Sequence, residues 1–379
     1  CSIRLLYRTS HPGHRLRMSN RNRTSNIAEL SGKCRASESP SERTIFMRPK
    51  LTDVAKKAGV SKTTVSRVIN NYGYISEKTR QRVYRAMKEL NYQPNSLARS
   101  LHGKSTHLIG IIFPSIMNPF YAELVQRVEE KLFDAGYKII LCNSAQNKEK
   151  ERDYLKMLIA NQVDGIIAGA HNLGIEEYKN VGLPIVSFDR YLSETIPTVS
   201  CDNYQGGITA TKELYEAGAR HIYFLGNPHQ SGNPTDKRLK GYCDEIDRLK
   251  LTRHTHTVSF TESASLKSFS IKELLSKSVA DGIVCTDDLT ALLVLQAARE
   301  LGISVPNDLK VTGFDGTELV STYHPELSTV VQPLEDIASI LINLLLERIK
   351  NPDEKLKQME YVLPVTFKRS ASIGQIFGQ

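Results

Sequence analysis

The sequence predicts a small all-α unit followed by a larger α/β body of two lobes, each built on a doubly wound parallel sheet. Three observations lead to this fold class. In residues 47–94, apolar residues recur at helical spacing within short stretches that polar turns separate. Residues 105–379 instead alternate continuous apolar runs with amphipathic stretches, which is typical of parallel strands linked by helices. These units outnumber the strands of one ordinary sheet, so we expect two sheets.

Positive charge is concentrated ahead of the body. The net charge of +9 divides into +6 for residues 1–46, +10 for residues 47–104 and −7 for residues 105–379. A basic first part joined to an acidic body indicates that the first part binds a polyanion, and a solvated lysine-rich helical face is the alternative. No run of about 18 apolar residues occurs, so we expect no membrane span.

Residues 1–46 are rich in Arg and Ser and show no sustained periodicity, so we expect them to be disordered. We interpret them as a non-native or upstream extension, with Met47 as the natural start, although organelle transit peptides have a similar composition. The six cysteines of the chain are scattered and form no CxxC pair, which indicates a reducing, cytoplasmic location.

The first two helices of the small unit meet at Gly59, where a left-handed residue would end the first helix. Thr52 is expected to cap the first helix and Ser61 the second, because hydroxyl oxygens accept from free first-turn N–H groups. A third helix should begin after Ser76 and end before Pro94. Three small helices with a glycine-containing turn between the first two form the helix-turn-helix pattern.

The second helix of this pattern has a polar face that suits double-stranded DNA. This face contains Lys62, Thr63, Ser66 and Arg67. In helix-turn-helix units, the start of the second helix enters the major groove, where Lys and Arg donate to guanine and Thr contacts base edges. We predict further phosphate donors at Thr52, Ser61, Thr64 and Asn70. A helical hairpin with a merely solvated face is the alternative.

Residues 95–104 connect the two parts. Asn95 can cap a helix over residues 96–101 that Gly103 ends, and so short a helix is marginal alone in water. We predict that it forms when it pairs with its counterpart in a homodimer on DNA, with a leucine wedged into the minor groove. A plain interdomain linker is the alternative.

Polar residues follow several predicted strands of the body. The strands are expected over 107–114, 137–143, 164–170, 184–189, 221–227, 281–287 and 309–315. Ligands of such sheets bind beyond the carboxyl ends of the strands, which between two lobes means a cleft. The candidates at these ends, together with one arginine that begins a helix, are Asn118, Phe120, Asp189, Arg190, Thr286, Asp287, Asp315 and Arg238. Carboxylates, an amide, an arginine and an aromatic face fit a sugar.

The strings LTDVAKKAGVSKTTVSRVIN and SEKTRQRVYRAMKELNYQPNSLARSLHGKST resemble the headpiece and hinge of the LacI/GalR family of bacterial transcription regulators. The resemblance implies that Lys62, Thr63 and Arg67 read bases, and that Leu101 enters the minor groove with Ala98 beside it. It extends over residues 105–370, where the strings R-L-x-G-Y and G-F-D anchor it, and implies a core like that of periplasmic binding proteins.

The resemblance also implies a set of effector-binding residues. They are Phe120, Asp189, Arg238, Thr286 and Asp315, with Gln332 in the matching late crossover. Many members of the family have Asn at the position of Thr286, and some have an aromatic residue at the position of Leu334. The first of these departures concerns one hydroxyl contact.

The implied function is that of a homodimeric repressor whose affinity for operator DNA depends on a sugar or sugar phosphate. NYQPNSLARSLHGKST and NQVDGIIAGAHNLGIEEY are similar to the branch of the family that regulates sucrose utilisation. The alternatives are a corepressor-dependent regulator or an activator, a plain sugar-binding protein and a sugar-metabolising enzyme. No phosphate loop, dinucleotide fingerprint, HExxH or GxSxG motif occurs, so we expect no catalysis, cofactor or metal. RSASIGQIFGQ has no leucine heptad, which favours a dimer over a tetramer.

Overall fold

The computed structural model describes residues 49–94, 105–145, 147–170, 172, 174–227, 232–260, 262–354, 356 and 358–374. The chain divides into two compact units, with the division between Tyr92 and Gln93. The expectations for residues 1–46 and for the connecting segment, including Asn95, Ala98 and Leu101, fall outside the described residues.

The first unit packs three helices around a small apolar core. They are α1 (Leu51–Ala58), α2 (Lys62–Ile69) and α3 (Glu77–Glu89). Gly59 ends α1 with a φ of 64°, as predicted. Ser61 caps α2, because its hydroxyl oxygen accepts from the N–H of Thr64 at 3.1 Å. The prediction for Thr52 was wrong: α1 begins one residue earlier, and the carboxylate of Asp53 accepts from the N–H of Lys50 at 2.7 Å.

The second unit contains two six-stranded sheets. The strands of the first sheet are β1 (Leu108–Phe113), β2 (Lys138–Asn143), β3 (Gly165–Ala168), β4 (Ile185–Phe188), β5 (Thr198–Cys201) and β11 (Glu360–Leu363). Their order is β11-β5-β4-β3-β1-β2, and every pair is parallel. Side chains of β1, β3 and β4 are buried along nearly their whole length, as expected for strands that helices cover on both faces.

The strands of the second sheet are β6 (Ile222–Gly226), β7 (His254–Thr257), β8 (Gly282–Cys285), β9 (Lys310–Asp315), β10 (Ser328–Val331) and β12 (Thr366–Lys368). Their order is β12-β10-β9-β8-β6-β7. All pairs are parallel except β12 with β10, which is antiparallel. The predicted two-lobed, doubly wound body is therefore confirmed.

Helices cover both sheets. The helices of the first lobe are α4 (Pro119–Asp134), α5 (Lys148–Ala160) and α11 (Leu334–Lys350). Those of the second lobe are α6 (Asn203–Glu216), α7 (Lys237–Arg248), α8 (Ala264–Lys277), α9 (Asp288–Leu301) and α10 (Glu318–Tyr323). None of the helices in the described part of the chain has the length and apolar character needed to span a bilayer.

The chain passes between the lobes three times, because each lobe takes its strands from separate parts of the sequence. The crossovers lie between β5 and α6, between β10 and α11, and between β11 and β12. Three connecting segments at one edge form a joint about which the lobes can move. Asn203 begins the helix after the first crossover, and Gln332 lies within the second.

Candidate functional site

The exposed start of α2 is the first candidate site. Val65 and Val68 are buried in the helical core and fix the rotation of α2 about its axis. Lys62, Thr63 and Arg67 are consequently exposed on the other side. Neither Lys62 nor Arg67 lies within ion-pair distance of a carboxylate in the part of the chain that the structure describes. Both cations therefore remain available to an external anion.

The smaller polar residues on and near α2 make side-chain contacts within the first unit. The hydroxyls of Ser61 and Thr64 lie 2.9 Å apart, and the side-chain amide of Asn70 donates to the carbonyl of Ser66 at 2.9 Å. The hydroxyl of Thr52 lies 3.4 Å from a carboxylate oxygen of Asp53. These contacts leave the Lys62, Thr63 and Arg67 side chains as the main exposed donors of α2.

A cavity of about 430 Å³ in the second unit is the second candidate site. It lies beyond the carboxyl ends of strands from both sheets, where α/β folds bind ligands. Seven of the nine residues predicted for the effector line it: Asn118, Phe120, Asp189, Arg238, Asp287, Asp315 and Gln332.

Five buried side chains form a continuous polar chain across this cavity. Asn203 donates to a carboxylate oxygen of Asp189 at 3.0 Å, and Arg238 Nε donates to the amide oxygen of Asn203 at 2.7 Å. Arg238 Nη1 lies 3.8 Å from Asp315 Oδ1, to which Gln332 donates at 2.8 Å. The polar chain therefore joins β4 of the first lobe, β9 of the second lobe and both adjacent crossovers.

Arg238 is the centre of the polar chain and is held from three sides. Its guanidinium carbon lies 3.6 Å from the centroid of the Phe314 ring. Its Nη1 also donates to the carbonyl oxygen of Thr286 at 2.6 Å. A planar guanidinium fixed in this way presents its remaining donors in one direction, which suits recognition of oxygen atoms on a ligand.

Burial raises the pKa of both carboxyl groups of the polar chain. It raises the pKa of Asp189 to about 6, against the opposing effects of Arg238 and of the hydrogen bond from Asn203. It also raises the pKa of Asp315 well above its ordinary value, although Arg238 opposes this shift. Hydroxyl groups that donate to these carboxylates would replace lost hydration, so a polyhydroxylated ligand stabilises their ionised forms.

The first lobe contributes an aromatic wall. Phe120 and Tyr121 begin α4 and line the cavity, and the side chain of Asn118 caps this helix by accepting from the N–H of Phe120 at 2.9 Å. Phe120 stacks on Phe188 with ring centroids 5.7 Å apart. The wall is rigid because its rings pack on the core of the first lobe.

Two predicted effector residues, Arg190 and Thr286, do not line the cavity. The Arg190 guanidinium is buried and forms an ion pair with Glu151 at 2.7 Å. It also donates to the carbonyls of Ala170 and Asn172, so it holds the loop after β3 instead of facing the cavity. Thr286 contributes its carbonyl to Arg238, and the next residue, Asp287, lines the cavity.

Sequence reasoning missed Asn203, Phe260 and Lys267. Asn203 follows β5, whose residues TVSC form no apolar run. Phe260 and Lys267 line the cavity beyond β7, whose residues HTHT are partly exposed and polar. Edge and crossover strands have too little apolar character to be recognised, so the residues that follow them could not be placed.

Two protein-family models match separate parts of the chain. The family described as bacterial regulatory proteins, lacI family, matches residues 50–95, and the periplasmic binding protein-like domain matches residues 211–371. The sucrose operon repressor of Pediococcus pentosaceus is 56% identical over 319 residues, which cover 84% of this chain and 98% of that protein. The sucrose operon repressor of Streptococcus mutans serotype c is 47% identical, over 86% of this chain and 100% of that protein.

Solved structures of regulators are similar over the same region. The Lac repressor dimer bound to operator and the anti-inducer ONPF has a TM-score of 0.71 and 25% identity, covering 86% of this chain and 99% of that chain. The transcriptional regulator CelR in complex with cellobiose has a TM-score of 0.61 and 27% identity, covering 86% of this chain and 100% of that chain. On the strength of these matches and of its two-unit architecture, the chain belongs to the LacI family of bacterial regulatory proteins.

Proposed function

We propose that this protein represses a sucrose-utilisation operon and that a sugar bound in the cleft controls its affinity for the operator. The observation that carries the proposal is the polar chain from Asp189 to Gln332, which joins both lobes to the segments that connect them. A ligand that engages these groups prefers one arrangement of the lobes, and this differential affinity shifts the population of that arrangement.

In this proposal, two headpieces of a homodimer bind the two halves of a near-palindromic operator. The start of α2 supplies Lys62, Thr63 and Arg67 to the major groove, and basic residues elsewhere in the headpiece contact phosphates. Because its DNA partner lies in the bacterial cytoplasm, the protein acts there. The sugar leaves the cleft chemically unchanged, which a turnover assay on the purified protein would verify.

An operator-binding titration tests the proposal. The purified homodimer is titrated onto DNA from upstream of a sucrose-utilisation operon, with and without sucrose, fructose and their phosphates. We expect one of these ligands to weaken operator binding, while ribose and unrelated sugars do not. A ligand that strengthens binding would make the effector a corepressor. Failure of every carbohydrate to change operator affinity would refute sugar control.

A further inference from the structure

The carboxylate of Asp164 binds the first residues of the body of the protein. It accepts hydrogen bonds from the N–H groups of Thr106 and His107, each at 2.8 Å. It also accepts from the hydroxyl groups of Ser105 and Thr106. Four donors from three consecutive residues therefore converge on one side chain. These three residues come directly after the connecting segment, residues 95–104.

The contacts with Asp164 also fix the direction of the backbone at His107. This residue has a φ of 54°, in the left-handed region that residues other than glycine rarely adopt. Its N–H donates to Asp164, and its carbonyl oxygen accepts from the N–H of Lys138, at the start of β2, at 2.9 Å. Such a conformation persists only where its surroundings determine it. Loss of the carboxylate should therefore release the backbone from Ser105 to His107.

Asp164 lies at the edge of the first sheet that is opposite the cavity. It immediately precedes β3, at the amino end of that strand, whereas the cavity lies beyond the carboxyl ends of the strands. Accordingly, Asp164 is not among the residues that line the cavity. A substitution at this position should alter the path of the chain into the sheet and leave the sugar-binding side chains in place.

The second lobe contains a structural counterpart of this aspartate. Asp281 immediately precedes β8, as Asp164 precedes β3, and its carboxylate accepts from the N–H groups of Arg220 and His221 at 2.7–2.9 Å. Within the described ranges of the chain, no hydroxyl group donates to Asp281. A carboxylate at this position therefore holds the start of the neighbouring strand in both lobes. The two hydroxyl donors are particular to Asp164, and they extend its hydrogen bonds back to Ser105.

We propose that Asp164 is a positioning residue for operator binding, because it joins the connecting segment rigidly to the first lobe. Any movement that the chain passes from this lobe to the first unit goes through residues 105–107. If these three residues were free, they would lengthen the tether and would have to be ordered when the operator binds. A slack tether would also transmit less of the movement. This inference rests on the proposed function, since it concerns how the cleft controls the same DNA affinity.

The charge of Asp164 acts in the opposite direction to its proposed role. A carboxylate repels the phosphates of DNA, so electrostatics alone would make operator binding tighter when the charge is removed. The proposal instead requires weaker operator binding after removal of the carboxylate. The sign of the change consequently distinguishes positioning from a charge effect.

The test uses the full-length homodimer and three variants. Asp164→Ala removes all four hydrogen bonds. The double variant Ser105→Ala with Thr106→Val removes the two hydroxyl donors but keeps both N–H donors, so it is the milder change. Asp281→Ala is the matched control, because both aspartates are half-buried and hold the start of a strand.

Three quantities are measured for each protein. Fluorescence anisotropy gives the operator affinity with and without sugar, and thermal unfolding gives the stability. Calorimetry without DNA gives the sugar affinity. The sugar is whichever of sucrose, fructose and their phosphates releases the operator from the unchanged protein.

We expect Asp164→Ala to weaken sugar-free operator binding by about 10- to 100-fold, and the double variant by about 3- to 10-fold. The factor by which the sugar weakens operator binding should shrink at least about threefold in Asp164→Ala. Sugar affinity should change less than about twofold in both variants. Asp281→Ala should lower the unfolding temperature about as much as Asp164→Ala does, while its operator affinity stays within about twofold of the unchanged protein.

Three results would overturn the inference. They are an operator affinity of Asp164→Ala within about twofold of the unchanged protein, equal losses in Asp164→Ala and Asp281→Ala, and equal losses of operator and sugar affinity in Asp164→Ala. If Asp164→Ala does not fold, the same comparisons on the double variant decide. In each case, sugar-controlled operator binding by the unchanged protein would still support the proposed function. If the unchanged protein does not bind the operator, the proposed function fails and this inference fails with it.

Discussion

Asp189 and Asp315 share an unusual backbone conformation. Their φ angles are 51° and 123°, in the region that residues other than glycine rarely adopt. Each lies at or just after the end of a buried strand, and the positive φ turns the chain sharply there. Such conformations cost on the order of 1–3 kcal/mol and persist where the surroundings determine them. The hydrogen bonds from Asn203 and Gln332 supply that constraint.

The pKa of Asp189 predicts that sugar binding depends on pH. Burial raises this pKa to about 6, and the ionised carboxylate is the form that accepts two sugar hydroxyls. Affinity for an uncharged sugar should therefore fall as the pH drops through 6, by about tenfold per pH unit at most. Titration of the protein with a sugar between pH 5 and 8 measures this effect. The sugar must be unphosphorylated, because a phosphate group titrates in the same pH range. The Asp189→Asn variant should bind weakly at every pH and show a smaller pH slope. An unchanged slope would contradict the assignment to Asp189 and point to Asp315, whose pKa burial also raises.

Arg67 should contribute to operator specificity. Replacing it by alanine removes an exposed donor at the proposed DNA face, so operator affinity should fall by about 10- to 100-fold, with a smaller loss on unrelated DNA. The control is Arg85→Ala, which removes the same charge from an exposed position of α3. Binding to both DNAs, measured at one salt concentration, gives the comparison. Equal losses for the two variants would assign Arg67 to general charge attraction.

Helices α6 and α7 pack unusually closely, and this contact positions the polar chain. A Cβ atom on Gly241 would lie 2.2 Å from the carbonyl oxygen of Tyr204, and one on Gly207 would lie 2.2 Å from that of Arg238. The two glycines therefore allow the backbones of α6 and α7 to touch. Only at this separation does Arg238, on α7, reach Asn203, on α6, at 2.7 Å.

Gly241→Ala should consequently weaken both stability and sugar binding. The methyl group must push α7 away from α6, which costs about 1–3 kcal/mol of stability as other overpacked sites do, and it should move Arg238 away from Asn203. Thermal unfolding and sugar titration measure the two effects. Lys240→Ala, at the preceding exposed position of α7, is the control. It removes an exposed ion pair with Asp244 and should change stability by less than about 1 kcal/mol. A stable Gly241→Ala protein with unchanged sugar affinity would show that the close contact is dispensable.

Sequence patterns identified the elements with strong apolar character. The buried strands β1, β3, β4, β8 and β9 gave continuous apolar runs, as did β2 and β6, so their positions were predicted correctly to within a few residues. β5, β7, β10, β11 and β12 were missed, because they contain polar residues and lie at sheet edges or beside crossovers, where such residues are tolerated. Side-chain direction was beyond sequence reasoning too: Arg190 follows Asp189 directly but faces Glu151 instead of the cavity.

At the scale of the whole molecule, operator binding and sugar binding should respond differently to salt. The basic headpiece should lose operator affinity by about 10³–10⁵-fold between 50 and 200 mM salt if it makes roughly 6–10 phosphate contacts. The affinity of the cleft for an uncharged sugar should change less than about twofold, since buried hydrogen bonds are little screened. Operator and sugar titrations over the same salt series provide the test. Operator binding that is insensitive to salt would exclude the proposed mode of DNA recognition.

The crossovers restrict which parts of the cleft can change over evolution. Asn203 and Gln332 lie at the joints between the lobes and bind Asp189 and Asp315, so a substitution that alters ligand choice at those aspartates also alters the joints. The far end of the cavity, with Phe260 and Lys267, belongs to the second lobe and contains no crossover segment. Related repressors can therefore change the residues at that end to bind new carbohydrates, while the movement of the lobes on ligand binding stays the same. That end of the cavity is where an engineer should begin to change the inducer.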